Sequence, residues 1–193
     1  MKKFIAMLLA LVMVLSLAAC GAKEEAAPAA EAAAPEAAAG AIKLGMSGPL
    51  TGGAAVYGTA VKNAAQMAID EINAAGGLNG TMFKLIATDD MHDASKISTN
   101  YSSLLESGMQ LSLGTVTTKP GIEFKNLSKQ DNLFFLTPSA SGDDVPEFAN
   151  GYQMCFADGN QGKVAAEYVN TLGLDKIGVF FKSDDPYSDG IYK

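Results

Sequence analysis

A parallel-sheet α/β domain is what the sequence predicts, on three observations. Short apolar runs alternate with longer amphipathic ones from Ile42 onward, the pattern of βαβ units. The first two long runs end on glycine, at Gly76-Gly77 and at Gly108, where a helix can stop in the left-handed region. Between strand-like and helix-like runs lie loops rich in glycine, serine and threonine, which suits the carboxyl end of an open parallel sheet.

The elements follow from the N-terminus. Lys2 and Lys3 precede an apolar run from Phe4 to Ala19, and Leu17-Ala18-Ala19-Cys20 is similar to a lipobox. The run is shorter than the roughly 20 residues of a spanning helix, so residues 1–19 read as a cleaved lipoprotein signal peptide. Cys20 is then the lipidation site, and more than one acyl chain makes a stable anchor. Residues 20–40 collapse to Ala, Glu and Pro around one lysine, a composition that cannot bury enough apolar surface to order itself; this is a tether.

Residues 41–173 are the expected ligand-binding lobe. Strands are expected at Ile42 to Met46, Phe83 to Thr88, Met109 to Leu113, Leu133 to Leu136, Tyr152 to Phe156 and Ile177 to Phe181. Between them the spacing predicts a helix over Gly58 to Ala75 with Val61, Ala65, Ala68, Ile69 and Ile72 on one face. A second carries Ile97, Tyr101, Leu104 and Leu105, with Asp93 as N-cap. Others span Pro120 to Lys129 and Gln161 to Leu172. No repeat of solenoid period is visible.

Composition excludes several functions. Past the signal, 12 lysines and no arginine face 21 acidic residues, a formal charge of about −9, and such a surface repels phosphate backbones; no nucleic-acid partner is expected. No GxGxxG or GxxxxGK[ST] motif occurs, so no nucleotide cofactor is expected. The lone His92, in Asp89-Asp-Met-His-Asp93, reads as a solvated loop residue, because adjacent residues rarely point at one metal. No metal, cofactor or catalytic residue is assigned, and Ser47 does not fit GxSxG. Cys155 reads as a buried, inert thiol.

The loops suggest capture of a small molecule. Ser47 to Gly58, Gly114 to Thr118 and Thr137 to Ser141 follow the first, third and fourth strands. A hydroxyl beside free N–H groups at a helix start suits a single carboxylate, and a small zwitterion fits best. The alternative is that these hydroxyls only cap helices and tie turns.

The order and spacing of four segments resembles the substrate-binding proteins of branched-chain amino-acid ABC transporters, the type I periplasmic binding fold. They are Ile42-Lys-Leu-Gly-Met-Ser-Gly-Pro-Leu-Thr51 leading to Tyr57-Gly58, Ala68 to Gly80, Thr137-Pro-Ser-Ala-Ser141, and Asp158-Gly-Asn-Gln-Gly162 with Asp184 to Gly190. The resemblance implies that Thr118, Ala140 and Ser141 hold the ligand's α-carboxylate and part of its ammonium, with Thr117 beside them. It implies that Asp158 helps neutralise the ammonium, that Tyr187 comes from the second lobe and that Tyr57 lines the side-chain pocket. Asp158 could instead cap a helix, Tyr187 occupy a turn and Tyr57 belong to the core. The disulfide of some members is absent, Met91 and Thr117 standing where its cysteines would be.

The implied architecture is a three-layer lobe, with residues 174–193 the start of a second lobe that is largely missing. The implied function is an extracytoplasmic receptor, lipid-anchored to the outer face of the membrane, that passes an amino acid to an ABC permease and ATPase. The alternatives are a ligand-sensing module of a receptor and a non-functional truncated fragment.

Overall fold

In the computed structural model, residues 40–193 are described; the expected signal peptide, Cys20 and nearly all of the tether lie outside the described residues. The element order is β1 (Ile42–Gly48), α1 (Ala55–Ala74), β2 (Phe83–Asp89), a 3-10 turn (Ala94–Lys96), α2 (Ile97–Glu106), β3 (Leu111–Ser112), α3 (Thr118–Gln130), β4 (Phe135–Thr137), β5 (Gly151–Gln153), α4 (Asp158–Thr171) and α5 (Pro186–Tyr192). The five strands form one sheet in the order β2-β1-β3-β4-β5, every neighbouring pair parallel. The crossover from β1 to β2 runs opposite to those from β2 to β3 and β3 to β4. Right-handed connections therefore place α1 on one face and α2 with α3 on the other, which gives the expected three layers.

Local chemistry explains where the elements stop. Gly76 and Gly77 take φ +95° and +75°, and the Gly77 N–H donates to the Ile72 carbonyl to close α1. Asp93, expected to cap the second helix, instead caps the 3-10 turn that leads into it, its carboxylate accepting from the Ser95 N–H at 2.9 Å, and Gly108 at φ +86° ends α2. Asn73 binds both the N–H and the carbonyl of Phe83 through its side-chain amide, tying the end of α1 to the start of β2.

The core lies between the sheet and the α2/α3 layer. Ile97, Tyr101 and Leu104 from α2 meet Phe124 from α3, Phe135 from β4, and Met109, Ala140 and Val145. The rings of Tyr101 and Phe135 both stand edge-on to Phe124, at centroid distances of 5.2 and 5.6 Å, the arrangement that aromatic quadrupoles favour. One core cation is compensated locally: the buried Lys125 donates to the Glu147 carboxylate and the Asp144 carbonyl.

Three expectations need correction. Ile177 to Phe181 does not form a strand: residues 174–182 are irregular, Val179 and Phe180 are exposed, and Phe181 instead stacks on Tyr192 at 3.8 Å. A strand needs a ladder partner, and none lies beside this run among the described residues. On α1, Ile69 is buried and Val61 and Ala65 half-buried, but Ala68 and Ile72 are exposed, because β1 and β2 cover only a narrow stripe of the helix. Cys155 lies just past β5, half-buried, with its sulfur 3.5 Å from the Ala140 carbonyl oxygen, and is not buried in a strand.

Candidate functional site

The sheet order makes a topological switch between β1 and β3, since the chain leaves β1 toward one edge and returns to build toward the other. Ligands of open α/β sheets bind at such a crevice beyond the carboxyl ends. A cavity of about 220 Å³ opens there, lined by Ala54, Tyr57, His92, Val116, Thr117, Thr118, Ser139, Ser141, Asp185 and Tyr187. It is smaller than the ~300–1,000 Å³ of drug-sized sites, a volume suited to a molecule of amino-acid size.

The loop after β1 is held open by neighbouring side chains. Asp89, at the end of β2, accepts from the N–H groups of Leu50, Thr51 and Met91 and from the Thr51 hydroxyl; slight burial opposes ionisation, but these bonds outweigh it and hold the carboxyl below its ordinary range. Ser47 donates to the buried Asp90, and Asn100 donates to Ser47 and to the Asp89 carbonyl. Burial pushes the Asp90 carboxyl up, against the bonds from the His92 N–H and Ser47. Gly58 packs so closely that a Cβ would strike the Pro49 carbonyl. This fixes the first turn of α1, which presents Tyr57 to the cavity with most of its surface exposed; Tyr57 is therefore no core residue.

The wall after β3 and β4 is built from hydroxyls. Thr117 precedes α3 without capping it by a side-chain bond, so the first N–H groups of that helix are left to other partners. The buried Thr118 hydroxyl accepts from the N–H groups of Ser141 and Gly142 at 3.3 and 3.1 Å, which leaves its own proton to donate into the cavity. Thr137 ties the same wall together, donating to the Thr115 carbonyl and accepting from the Ala140 N–H. Ala140 is thus fully buried with its N–H engaged, and the cavity surface passes to its neighbours Ser139 and Ser141.

Asp158 sits one layer behind. Its N–H donates to the Ser141 carbonyl at 2.9 Å, and α5 covers it through Gly190. It is 0 % exposed, and neither carboxylate oxygen has a hydrogen-bond partner of normal geometry among the described residues. Burial pushes its carboxyl up; the nearby Ser141 hydroxyl opposes this, and Asp143, Asp144 and Asp185 reinforce it by charge. Tyr187 lies at the start of α5, where Asp185 caps the helix by accepting the Tyr187 N–H, and both residues line the cavity.

Thr117, Thr118, Ser141, Tyr57 and Tyr187 are therefore brought together on one cavity, while Ala140 and Asp158 stand behind it. His92, expected to be a solvated loop residue, is half-buried on the cavity wall. Its Nδ1 lies 3.0 Å from the Thr117 hydroxyl oxygen, so His92 rather than Met91 reaches across to Thr117. Among the described residues no cluster of three His, Cys, Asp or Glu side chains is placed to hold a metal.

Residues 41–193 match the family described as Periplasmic binding protein. The chain is 32% identical over 152 residues to the Leu/Ile/Val-binding protein BraC3 of Rhizobium johnstonii, covering 78% of this chain and 41% of that one. It is 28% identical over 158 residues to the leucine-, isoleucine-, valine-, threonine-, and alanine-binding protein of Pseudomonas aeruginosa, covering 80% and 42%. Among solved structures, the branched-chain amino acid transporter substrate binding protein LivJ from Streptococcus pneumoniae, in complex with isoleucine, superposes with a TM-score of 0.73 at 27% identity, covering 78% of this chain and 44% of that one. A leucine binding protein, LivK, from Thermotoga maritima shares the fold at a TM-score of 0.70 and 20% identity, covering 78% and 43%. The chain thus spans less than half the length of these relatives. With its parallel sheet, switch-point cavity and hydroxyl wall, the chain belongs to the periplasmic binding protein family, whose members are extracytoplasmic substrate-binding proteins, and it supplies one lobe of that fold.

Proposed function

We propose that this lobe captures an amino acid, of branched-chain type first, for delivery to an ABC permease and its ATPase. The observation that carries the reading is the meeting of the Thr118 hydroxyl, the uncapped start of α3 and Ser141 on one small cavity that also holds Tyr57 and Tyr187. That wall suits an α-carboxylate, which takes charge-assisted bonds from hydroxyls and helix N-terminal N–H groups. The acidic surroundings of Asp158 and Asp185 suit an ammonium. Ala140 contributes from behind by holding the Thr137 to Ser141 loop in shape. The relatives named for leucine, isoleucine and valine support the branched-chain choice.

Calorimetric titration of the purified full chain with leucine, isoleucine and valine tests this. Thr118→Val is expected to weaken binding by about 10- to 100-fold, the loss of one hydrogen bond to a charged group at about 1.5–3 kcal/mol. Affinity left unchanged by that substitution would remove Thr118 from the site.

The same proposal assigns residues 1–19 to a signal peptide, 20–40 to a lipidated Cys20 and tether, 41–173 to the first lobe and 174–193 to the start of the second. The run from Lys2 to Cys20 supports it. The intact mass of the chain extracted from native membranes is expected to correspond to a protein beginning at Cys20 and carrying acyl chains; an N-terminus still at Met1 would refute the anchor.

A further inference from the structure

We propose that His92 is a positioning residue of the carboxylate wall: by bonding the Thr117 hydroxyl through Nδ1 it stops that threonine from capping α3, and so keeps the first N–H groups of the helix open for the ligand's α-carboxylate. The inference rests on the reading of the cavity as an amino-acid site and adds a residue that prepares it.

Thr117 has what an N-cap needs. It immediately precedes α3, and its φ of −123° and ψ of 149° lie in the β region typical of that position. Threonine is a favoured N-cap because its hydroxyl oxygen accepts from the N–H of the second or third helical residue. Here the third is Pro120, which has no N–H, so Lys119 is the one target within reach. Yet Thr117 makes no side-chain cap bond, and the N–H groups of Thr118 and Lys119 have no hydrogen-bond partner among the described residues.

His92 supplies the reason. Its Nδ1 lies 3.0 Å from the Thr117 hydroxyl oxygen, and the ring is held there from its own backbone. The His92 N–H donates to the buried Asp90 at 2.9 Å and the Met91 N–H to Asp89 at 3.0 Å, while Ser47 anchors Asp90 in turn. Met91 and His92 take φ +54° and +61°, a conformation that is costly for most side chains and persists where the surroundings over-determine it. His92, Thr117 and Thr118 all line the cavity, so this clamp is part of the wall itself.

The result is a trade of helix stability for affinity. A cap bond within the protein and a carboxylate from the ligand compete for the same N–H groups. With the hydroxyl held by His92, the ligand has no internal bond to displace, and the wall is organised before it arrives. Leucine, isoleucine and valine share the α-carboxylate, so the device serves all three without distinguishing among them.

Two measurements on the full chain test the proposal: amide exchange at Lys119 followed by NMR without ligand, and calorimetric titration with leucine, isoleucine and valine. In the wild type the Lys119 amide is expected to exchange without protection. His92→Gly removes the ring and accepts the positive φ, which frees Thr117 to cap. Lys119 exchange is then expected to slow, and affinity for the amino acids to fall about fivefold, the worth of one N-cap bond. His92→Asn carries an amide on the carbon that bears Nδ1 and tolerates positive φ, and is expected to restore both readouts to the wild-type level. Adding Thr117→Val to His92→Gly removes the cap and is expected to return Lys119 to fast exchange. A merely structural role for His92 would lower affinity in the glycine variant and leave Lys119 unprotected; that result overturns the proposal, as does an affinity that His92→Gly leaves unchanged. Absence of binding for all three amino acids by the wild type would instead overturn the amino-acid reading itself, and this inference with it.

Discussion

Phe124→Ala is expected to destabilise the lobe by about 3–5 kcal/mol, the usual cost of emptying a buried aromatic site. Phe124 is 1 % exposed and stands between the rings of Tyr101 and Phe135, so truncation removes two edge-to-face contacts and leaves a void that the sheet cannot collapse to fill. Against a total stability of about 5–15 kcal/mol for a typical domain, that loss takes roughly a fifth or more. Urea unfolding followed by circular dichroism checks it: the midpoint should fall with the slope unchanged. Phe134→Ala is the control, since Phe134 is 41 % exposed and should cost well under half as much. Equal costs would mean that the core has been misplaced. Phe124 lies six residues after Thr118 on α3, so the same substitution loosens the helix whose first turn forms the cavity wall.

Asp158→Asn is expected to make the ligand-free chain more stable at pH 7 and to bind its ligand less well. Two effects of opposite sign meet at this residue. A carboxylate in the first turn of α4 gains about 0.3–1 kcal/mol from the helix dipole, but a buried charge without hydrogen bonds costs several kcal/mol, so burial wins. The folded-state carboxyl is raised above the unfolded value of about 3.9. Its contribution to stability is therefore complete below that value and is lost as pH rises through the folded one. Thermal unfolding of the ligand-free chain between pH 4 and 8 should show stability falling over the lower part of that range, and the asparagine variant should flatten the fall. The expected gain at pH 7 is about 1–3 kcal/mol, with ligand affinity lower by about tenfold or more as the ammonium loses its counter-charge. A variant less stable than wild type at pH 7 would show that the helix-dipole term dominates and that Asp158 serves as an anchor for α4.

Most of the scaffold was legible in the sequence because its signals are local. Glycine pairs stop α1, Asp93 and Gly108 bracket the second helical run, and the period of apolar residues distinguishes strand from helix. What local patterns cannot carry is whether a partner exists. Ile177 to Phe181 has the composition of a strand, but a ladder needs a neighbour, and Phe181 stacks on Tyr192 instead. The expected stripe on α1 failed at Ala68 and Ile72 for a related reason, since periodicity marks a face without saying how much of it the sheet will cover. In the site, the hydroxyls of Thr117, Thr118 and Ser141 reach the cavity because they lie in the segments that follow the carboxyl ends of β3 and β4, whose position in a parallel sheet is fixed by topology. Ala140 and Asp158 are displaced by one layer, a distinction that depends on how Thr137 folds the loop back on itself. His92 escaped because its partner, Thr117, is 25 residues away, and nothing in Asp-Met-His-Asp announces that the ring will turn inward.

The sheet is laddered unevenly. β1 and β2 share seven paired residues, whereas β3 meets β4 through one. The half that carries Thr118 and Ser141 is therefore held together by side-chain packing around Phe124 and Phe135 more than by backbone pairing. A ligand held by those residues would add bonds across that thin ladder, so part of its binding energy would appear as slower amide exchange across β3 and β4 and not as affinity.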